Sequence, residues 1–275
     1  MSSPSSSGTG AIKAARSARL DALLVERGLV ESRTRAQALV LAGLVRVGGE
    51  VAGKAGQKVA ADAELCVEGG SRFVSRAGEK LDHALDAFGI GVEDRDCLDA
   101  GASTGGFTDV LLRRGAHRVL SVDVGYGQFD WRLRNDGRVT VMERTNVRRL
   151  SGEDLPFAPD LLVADLSFIS LRVALENLLR TTPGMGEAVL LVKPQFEAGP
   201  ESVSRGGLVR EAGARAAAVR SVAEAFASLG FGAVGLTRSP VAGRKSGNRE
   251  YPVHLLRGSA TTLGEGEILS VVEEA

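Results

Sequence analysis

Beyond residue 96 one pattern governs the chain: short apolar runs separated by segments long enough to be helices. The runs at 97–99, 118–122, 139–142, 161–164 and 188–192 are strand candidates, and helices are expected over 106–114, 171–179 and 211–229. These strands are apolar almost without alternation, so each needs cover on both faces. A parallel sheet between two layers of helices supplies that cover. Residues 231–238 and 250–257 read as two last strands closing one edge. The pattern predicts an α/β domain with a Rossmann-like sheet over 76–258, without internal repeats.

Residues 18–68 follow a different plan. Leu20, Leu23, Leu24 and Val25 share one face of a short helix ended by Gly28. A second helix over 34–42 is opened by Glu31-Ser32-Arg33 and stopped by Gly43. Short β-like pieces follow at 44–47, 50–51 and 64–67, the first two joined by a Gly48-Gly49 turn. The result is a small α+β domain. Its end is the turn-rich stretch Glu68-Gly69-Gly70-Ser71, which places an interdomain linker over 69–75.

Charge separates the two parts. The protein has 34 Lys and Arg against 34 Asp and Glu, yet residues 1–80 hold 12 basic and 8 acidic side chains. A polyanion would therefore dock at the N-terminal end. The Ser/Gly-rich start lacks the apolar core of a signal peptide and is expected to be a disordered tail (1–17), with a second tail over 259–275. Cys66 and Cys97 make no disulfide framework, and His83, His117 and His254 lack metal-ligand spacing. The expectation is a cytoplasmic protein without a metal. No apolar run reaches the roughly 18 residues of a membrane span.

The sharpest local signal is Asp99-Ala-Gly101-Ala-Ser103-Thr-Gly105-Gly106-Phe107, between a strand and a helix. Glycines at such a turn let the backbone approach a ligand. Ser103 breaks the G-x-G-x-x-G spacing, so a dinucleotide reading is weak. An acid before the glycines and a second, Asp123, ending the next strand suit a nucleoside instead. Asp99 would lie near a cationic amino-acid end, and Asp123 would accept hydrogen bonds from ribose hydroxyls. The bland alternative is a tight turn without a ligand. Asp165 and Lys193 each follow an apolar strand, at the sheet edge where α/β folds bind ligands, though a charge there is often only the first solvated residue. Lys80 and Glu250 are uninformative alone.

Together these four match the order of the Lys-Asp-Lys-Glu tetrad of FtsJ-like RNA ribose 2′-O-methyltransferases. Longer strings resemble the TlyA (haemolysin A) family of ribosomal RNA 2′-O-methyltransferases: Ser75-Arg-Ala-Gly-Glu-Lys80-Leu, the 99–109 loop, Val122-Asp-Val-Gly-Tyr-Gly-Gln128, Arg144-Thr-Asn-Val-Arg148, Asp165-Leu-Ser-Phe-Ile-Ser170, Val192-Lys-Pro-Gln-Phe-Glu197 and Gly247-Asn-Arg-Glu250. The resemblance covers about residues 18–257. It implies that residues 18–68 are an S4 RNA-binding domain, with Arg19, Arg33, Arg35 and Arg46 among the phosphate-contacting side chains. Lys54 and Lys58 would extend the same surface. Arg72-Phe73-Val74 resembles the family's linker, where a bulkier aromatic is the closer match.

The resemblance further implies an S-adenosyl-L-methionine cofactor, with Asp99, Gly101, Ser103 and Gly105 at its methionine end, Asp123 at the ribose and Asn146 at the adenine. A ribose hydroxyl is a poor nucleophile at neutral pH, so alignment and a proton acceptor are needed. Lys193 is the implied group, in a catalytic set with Lys80, Asp165 and Glu250. Lys80 and burial would favour its neutral amine, Asp165 and Glu250 its ammonium, and the sequence leaves that balance open. The implied partner is ribosomal RNA or a ribosomal subunit, and the implied target is cytidine. The basic lead-in Lys13-Ala-Ala-Arg16 and the stretch after Arg257 resemble the longer form that acts on both subunits. Two other classes compete: an RNA-binding protein without catalysis, favoured by a missing tetrad residue, and a membrane-active haemolysin, which needs a span or a strongly amphipathic helix.

Overall fold

A computed structural model describes residues 17–27, 29–30, 32–67, 72–242 and 247–273. The expected N-terminal tail up to residue 16, Gly28, Glu31 and the 68–71 joint lie outside the described residues. The chain divides into two compact units, with the division between residues 70 and 71.

The first unit runs β1 (Ser17–Arg19), α1 (Leu20–Glu26), α2 (Arg33–Leu41), β2 (Val45–Val47), β3 (Glu50–Val51), β4 (Lys58–Ala60) and β5 (Leu65–Val67). Ser32 caps α2 by accepting the Arg35 N–H at 3.2 Å. Gly48 and Gly49 both have positive φ (+58° and +85°), as a two-residue hairpin between β2 and β3 requires. β2 pairs with β3 and β5, and β1 pairs antiparallel with β4, which sets Arg19 opposite Lys58. β1 and β4 are absent from the sequence reading because three residues are too few to show an alternation. Leu20, Leu24, Leu39, Val40, Val45 and Val59 close a core of the unit's own.

The second unit begins with α3 (Ala77–Phe88) and β6 (Asp96–Ala100), then α4 (Gly106–Arg113), β7 (Arg118–Val122), α5 (Trp131–Arg134), β8 (Val139–Met142) and β9 (Leu161–Ala164). It continues with α6 (Leu171–Thr181), β10 (Glu187–Val192), α7 (Pro194–Glu197), α8 (Ala212–Ala227), β11 (Phe231–Leu236), β12 (Tyr251–Arg257) and α9 (Glu265–Glu273). The strands form one sheet in the order β11-β12-β10-β9-β6-β7-β8. The five central and right-hand members are parallel, and the antiparallel pair β12 and β11 closes one edge, as the sequence suggests. Both faces are covered: Cys97, Val119, Leu161 and Val189 pack into one cluster, while their strand neighbours Leu98, Leu120, Leu162 and Leu190 pack into another.

Two segments differ from expectation. The stretch after residue 258 is not a loose tail, because α9 buries Ile268 and Val272 in the larger cluster and Arg215 of α8 donates to the Val272 carbonyl at 2.9 Å. The far end of the expected linker belongs to the second unit. Phe73 is buried against Gly78, where a Cβ would meet its ring, and the Val74 N–H donates to the Asp109 carboxylate at 2.9 Å.

Candidate active site

Strand order reverses at β6, with β9 on one side and β7 on the other, so the loops leaving their carboxyl ends part and open a crevice. One wall is the 101–105 loop. Gly101 has φ +87° and donates its N–H to the Val122 carbonyl at 2.8 Å. A Cβ on Gly101 would stand 2.7 Å from the Asp165 carbonyl oxygen, so only glycine lets the two loops touch here. Gly105, φ +95°, leads into α4 and lies against Leu133 and Phe129. The cleft between the walls measures about 160 Å³, with Ser75, Gly101, Ser103 and Thr104 on one side and Asp165, Ser167 and Lys193 on the other.

Register explains how residues so far apart in sequence meet. Val192 pairs with Tyr251 at the end of antiparallel β10 and β12, so Lys193 and Glu250 are the next residues outward on each strand. Asp165 extends β9 by one residue and donates its N–H to the Ala100 carbonyl at 3.0 Å. Lys80 arrives from α3. Its Nζ lies 2.5 Å from Glu250 Oε2 and 3.9 Å from Asp165 Oδ2, and Lys193 Nζ lies 2.5 Å from Asp165 Oδ1. The four make one continuous chain of two cations and two carboxylates. Lys80, Lys193 and Glu250 are all buried. The Lys193–Asp165 contact is an ion pair by distance, but its angle is not that of a hydrogen bond, and Oδ1 receives no aligned donor among the described residues. Lys193 instead donates to Ser167 Oγ at 2.7 Å.

The remaining expected residues fall in different places. Ser103 has φ +51°, and its N–H donates to Asp123 Oδ2 at 2.8 Å. Asp123 Oδ1 accepts from the Gly125 N–H at 2.6 Å and from Gln128 at 3.3 Å. Asn146 is exposed, and its side-chain oxygen accepts the Arg148 N–H at 3.1 Å. Asp99 departs from the expectation. It does not line the cleft; it is fully buried on the α4 face of β6, where Thr108 Oγ1 donates to its Oδ2 at 2.7 Å. Burial, reinforced by the nearby Asp165 and Asp123, pushes its carboxyl up to about 7.

Sequence reasoning missed Ser75, Thr104 and Ser167. Ser167 had a signal, since in extended chain residues two apart share a side, and Ser167 is two beyond Asp165. It also missed Phe168, which has φ +66°, is 84% exposed, and sets its ring 5.4 Å from that of Phe196.

In the first unit, Arg19 and Arg33 come together on one buried carboxylate, Asp21. Arg35 is exposed on α2. Arg46 lies on β2 and donates to the Gly49 carbonyl at 3.0 Å. Among the described residues no group of His, Cys, Asp and Glu is placed to hold a metal ion, and no helix is long and apolar enough to cross a membrane.

Residues 73–257 match the FtsJ-like methyltransferase family and residues 18–65 match the S4 domain. The chain is 51% identical over 239 residues to the 16S/23S rRNA (cytidine-2′-O)-methyltransferase TlyA of Mycobacterium tuberculosis, covering 86% of this chain and 89% of that one. It is 40% identical to Hemolysin A of Brachyspira hyodysenteriae over 86% of this chain and 99% of that protein. A solved protein from Streptococcus thermophilus, described only provisionally as a hemolysin, is 40% identical with a TM-score of 0.73, covering 94% of this chain and 95% of that one. With the tetrad in one cluster and an S4 domain ahead of the sheet, the chain belongs to the FtsJ-like methyltransferase family, in its S4-bearing TlyA branch.

Proposed function

We propose that this protein transfers a methyl group from S-adenosyl-L-methionine to the ribose 2′-hydroxyl of cytidine in ribosomal RNA of both subunits. The observation that carries the reading is the chain of ion pairs Glu250–Lys80–Asp165–Lys193, whose Asp165 and Lys193 line the cleft. When bound, the cofactor supplies an electrophilic methyl on a sulfonium. The donor set fits it. Gly101 lines the cleft without a side chain, and Ser75, Ser103 and Thr104 offer polar atoms to an amino-acid end. The cleft is smaller than the ~300 Å³ of pockets that enclose a whole ligand. The nucleoside would thus lie outside it, along Asp123 and Asn146.

Lys193 carries the chemistry. Asp165 and Ser167 occupy two sides of its Nζ, leaving the third for the ribose oxygen. With the methyl–sulfur bond broken to leave a thioether and the methyl on the ribose oxygen, the hydroxyl proton would pass to the Lys193–Asp165 pair. Lys80, between the two carboxylates, keeps them from repelling each other in a buried site. The exposed Phe168 ring offers a surface on which an unstacked base can rest. Basic residues of the first unit dock the RNA.

Lys193→Ala is expected to lower methyl transfer by at least ~100-fold, the lower range for loss of a positioned proton-transfer group. Cofactor and RNA binding should persist. Nucleotide-resolution mapping of 2′-O-methylation, with and without the protein, then identifies the target. Near wild-type turnover of Lys193→Ala at saturating cofactor would overturn the assignment.

A further inference from the structure

We propose that Asp21 is a positioning residue for RNA docking, a buried carboxylate that presets the guanidiniums of Arg19 and Arg33 as a single phosphate clamp. The proposal rests on the reading that the first unit docks RNA. An acid in the middle of an RNA-docking face is otherwise a liability, because it repels phosphate.

The geometry shows what the acid does. Asp21 has no exposed surface, and its carboxylate is ringed by donors. Arg19 donates to both of its oxygens, from Nε at 3.0 Å and Nη2 at 2.9 Å, the two-pronged arrangement that fixes a guanidinium in plane. Arg33 Nη2 reaches the same carboxylate at 3.3 and 3.4 Å from α2, and Gln37 Nε2 adds a donor at 3.2 Å. The backbone beneath is held as well: the Asp21 N–H donates to the Ala55 carbonyl at 2.8 Å and the Leu20 N–H to the Gln57 carbonyl at 2.9 Å. Between those carbonyls, Gly56 receives the Arg19 guanidinium, whose nitrogens would be only 3.0 Å from a Cβ there.

The outer sides of both arginines remain in water. Their side chains are 51% and 55% exposed, Arg19 Nη1 and Arg33 Nε and Nη1 have no partner among the described residues, and Lys58 stands across the strand pair from Arg19. Two guanidiniums and one carboxylate leave a net single positive charge on two half-exposed side chains. Long cationic side chains ordinarily lose rotamer freedom when they grip a phosphate. Here the loss is taken on folding, so the clamp is ready before RNA arrives.

The proposal and simple electrostatics give opposite signs. Asp21→Asn removes a negative charge, so charge alone predicts tighter RNA binding with a steeper salt dependence. Positioning predicts binding weaker by about tenfold, the scale of two side chains left to be ordered. The experiment titrates the full-length protein with a ribosomal RNA fragment across salt concentrations, for wild type, Asp21→Asn, the double change Arg19→Gln with Arg33→Gln, and all three changes together. The expected result is weakening by Asp21→Asn in the wild-type background and no further effect once both arginines are gone. Equal or tighter binding by Asp21→Asn, or an equal weakening in both backgrounds, overturns the proposal. If the arginine pair can be removed without loss of affinity, the docking role of the unit itself fails. Should Asp21→Asn not fold, Arg33→Lys keeps the charge and leaves Asp21 paired with Arg19. Weaker binding at an unchanged melting temperature is then expected, and unchanged binding overturns the proposal.

Discussion

Asp99 holds one oxygen on Thr108 and the other on nothing among the described residues, inside the sheet rather than at the cleft. Its position in the glycine-loop string suggests a ligand contact, but a strand apolar on both sides carries no phase, so the sequence could not say which face Asp99 takes. The face it takes has a consequence for stability. Its folded value near 7 is above the ~4 of an unfolded aspartate. Between those pH values the unfolded chain has lost a proton that the folded one keeps, so rising pH favours unfolding across that window and has no further effect above it. Asp99→Asn abolishes this dependence. Melting curves at several pH values from 4 to 8 should show the wild type losing ground to the variant as pH rises. Parallel profiles would show that Asp99 is ionised throughout.

At the scale of elements, the loops that carry the tetrad are braced against each other by a residue the mechanism does not use. Glu197, at the end of α7, accepts the Leu171 N–H at the start of α6 and the Ser170 hydroxyl, both at 2.7 Å. Ser170 ends the loop that begins with Asp165, and Glu197 is four residues beyond Lys193, so this carboxylate fastens one catalytic loop to the other. Burial raises its carboxyl above the ordinary value. Glu197→Ala should lower kcat by about tenfold through misplacement of Lys193 relative to Asp165, with KM for the cofactor little changed. It should also remove about 1 kcal/mol of helix-capping stability. Glu197→Gln, which keeps an acceptor for Leu171, should recover most of kcat. A lower melting temperature with kcat intact would reduce Glu197 to a structural cap. This brace shows what the sequence withheld: Lys193 and Asp165 stood out as charges following apolar strands, Lys80 and Glu250 only through the family resemblance, and the parallel sheet followed from its apolar runs. The partners of Glu197, the docking of α9 and the place of Ser75 depend on tertiary contacts that no local pattern encodes.

At the scale of the whole molecule, each unit closes a core of its own: residues up to Val67 in one, residues from Phe73 onward in two clusters covering the sheet. The boundary can therefore be tested by cutting at two places. A chain starting at residue 71 keeps Phe73 against Gly78, Val74 on Asp109 and Ser75 in the cleft wall beside Gly106. It should fold and bind S-adenosylmethionine, but lose RNA affinity, most of all at low salt. Its log–log salt slope should fall by close to one unit for each phosphate contact removed. A chain starting at residue 76 loses those three residues as well. Removing the buried Phe73 ring should cost ~3–5 kcal/mol, and removing Ser75 opens the cleft beside the glycine loop, so cofactor affinity should drop. Calorimetry with the cofactor and RNA titrations across salt concentrations, on both truncated chains and the full-length protein, separate the two effects. Equal RNA affinities and slopes for the full chain and the chain from residue 71 would leave the first unit without a docking role. Equal cofactor affinities for the two truncated chains would show that the 73–75 segment is not part of the pocket.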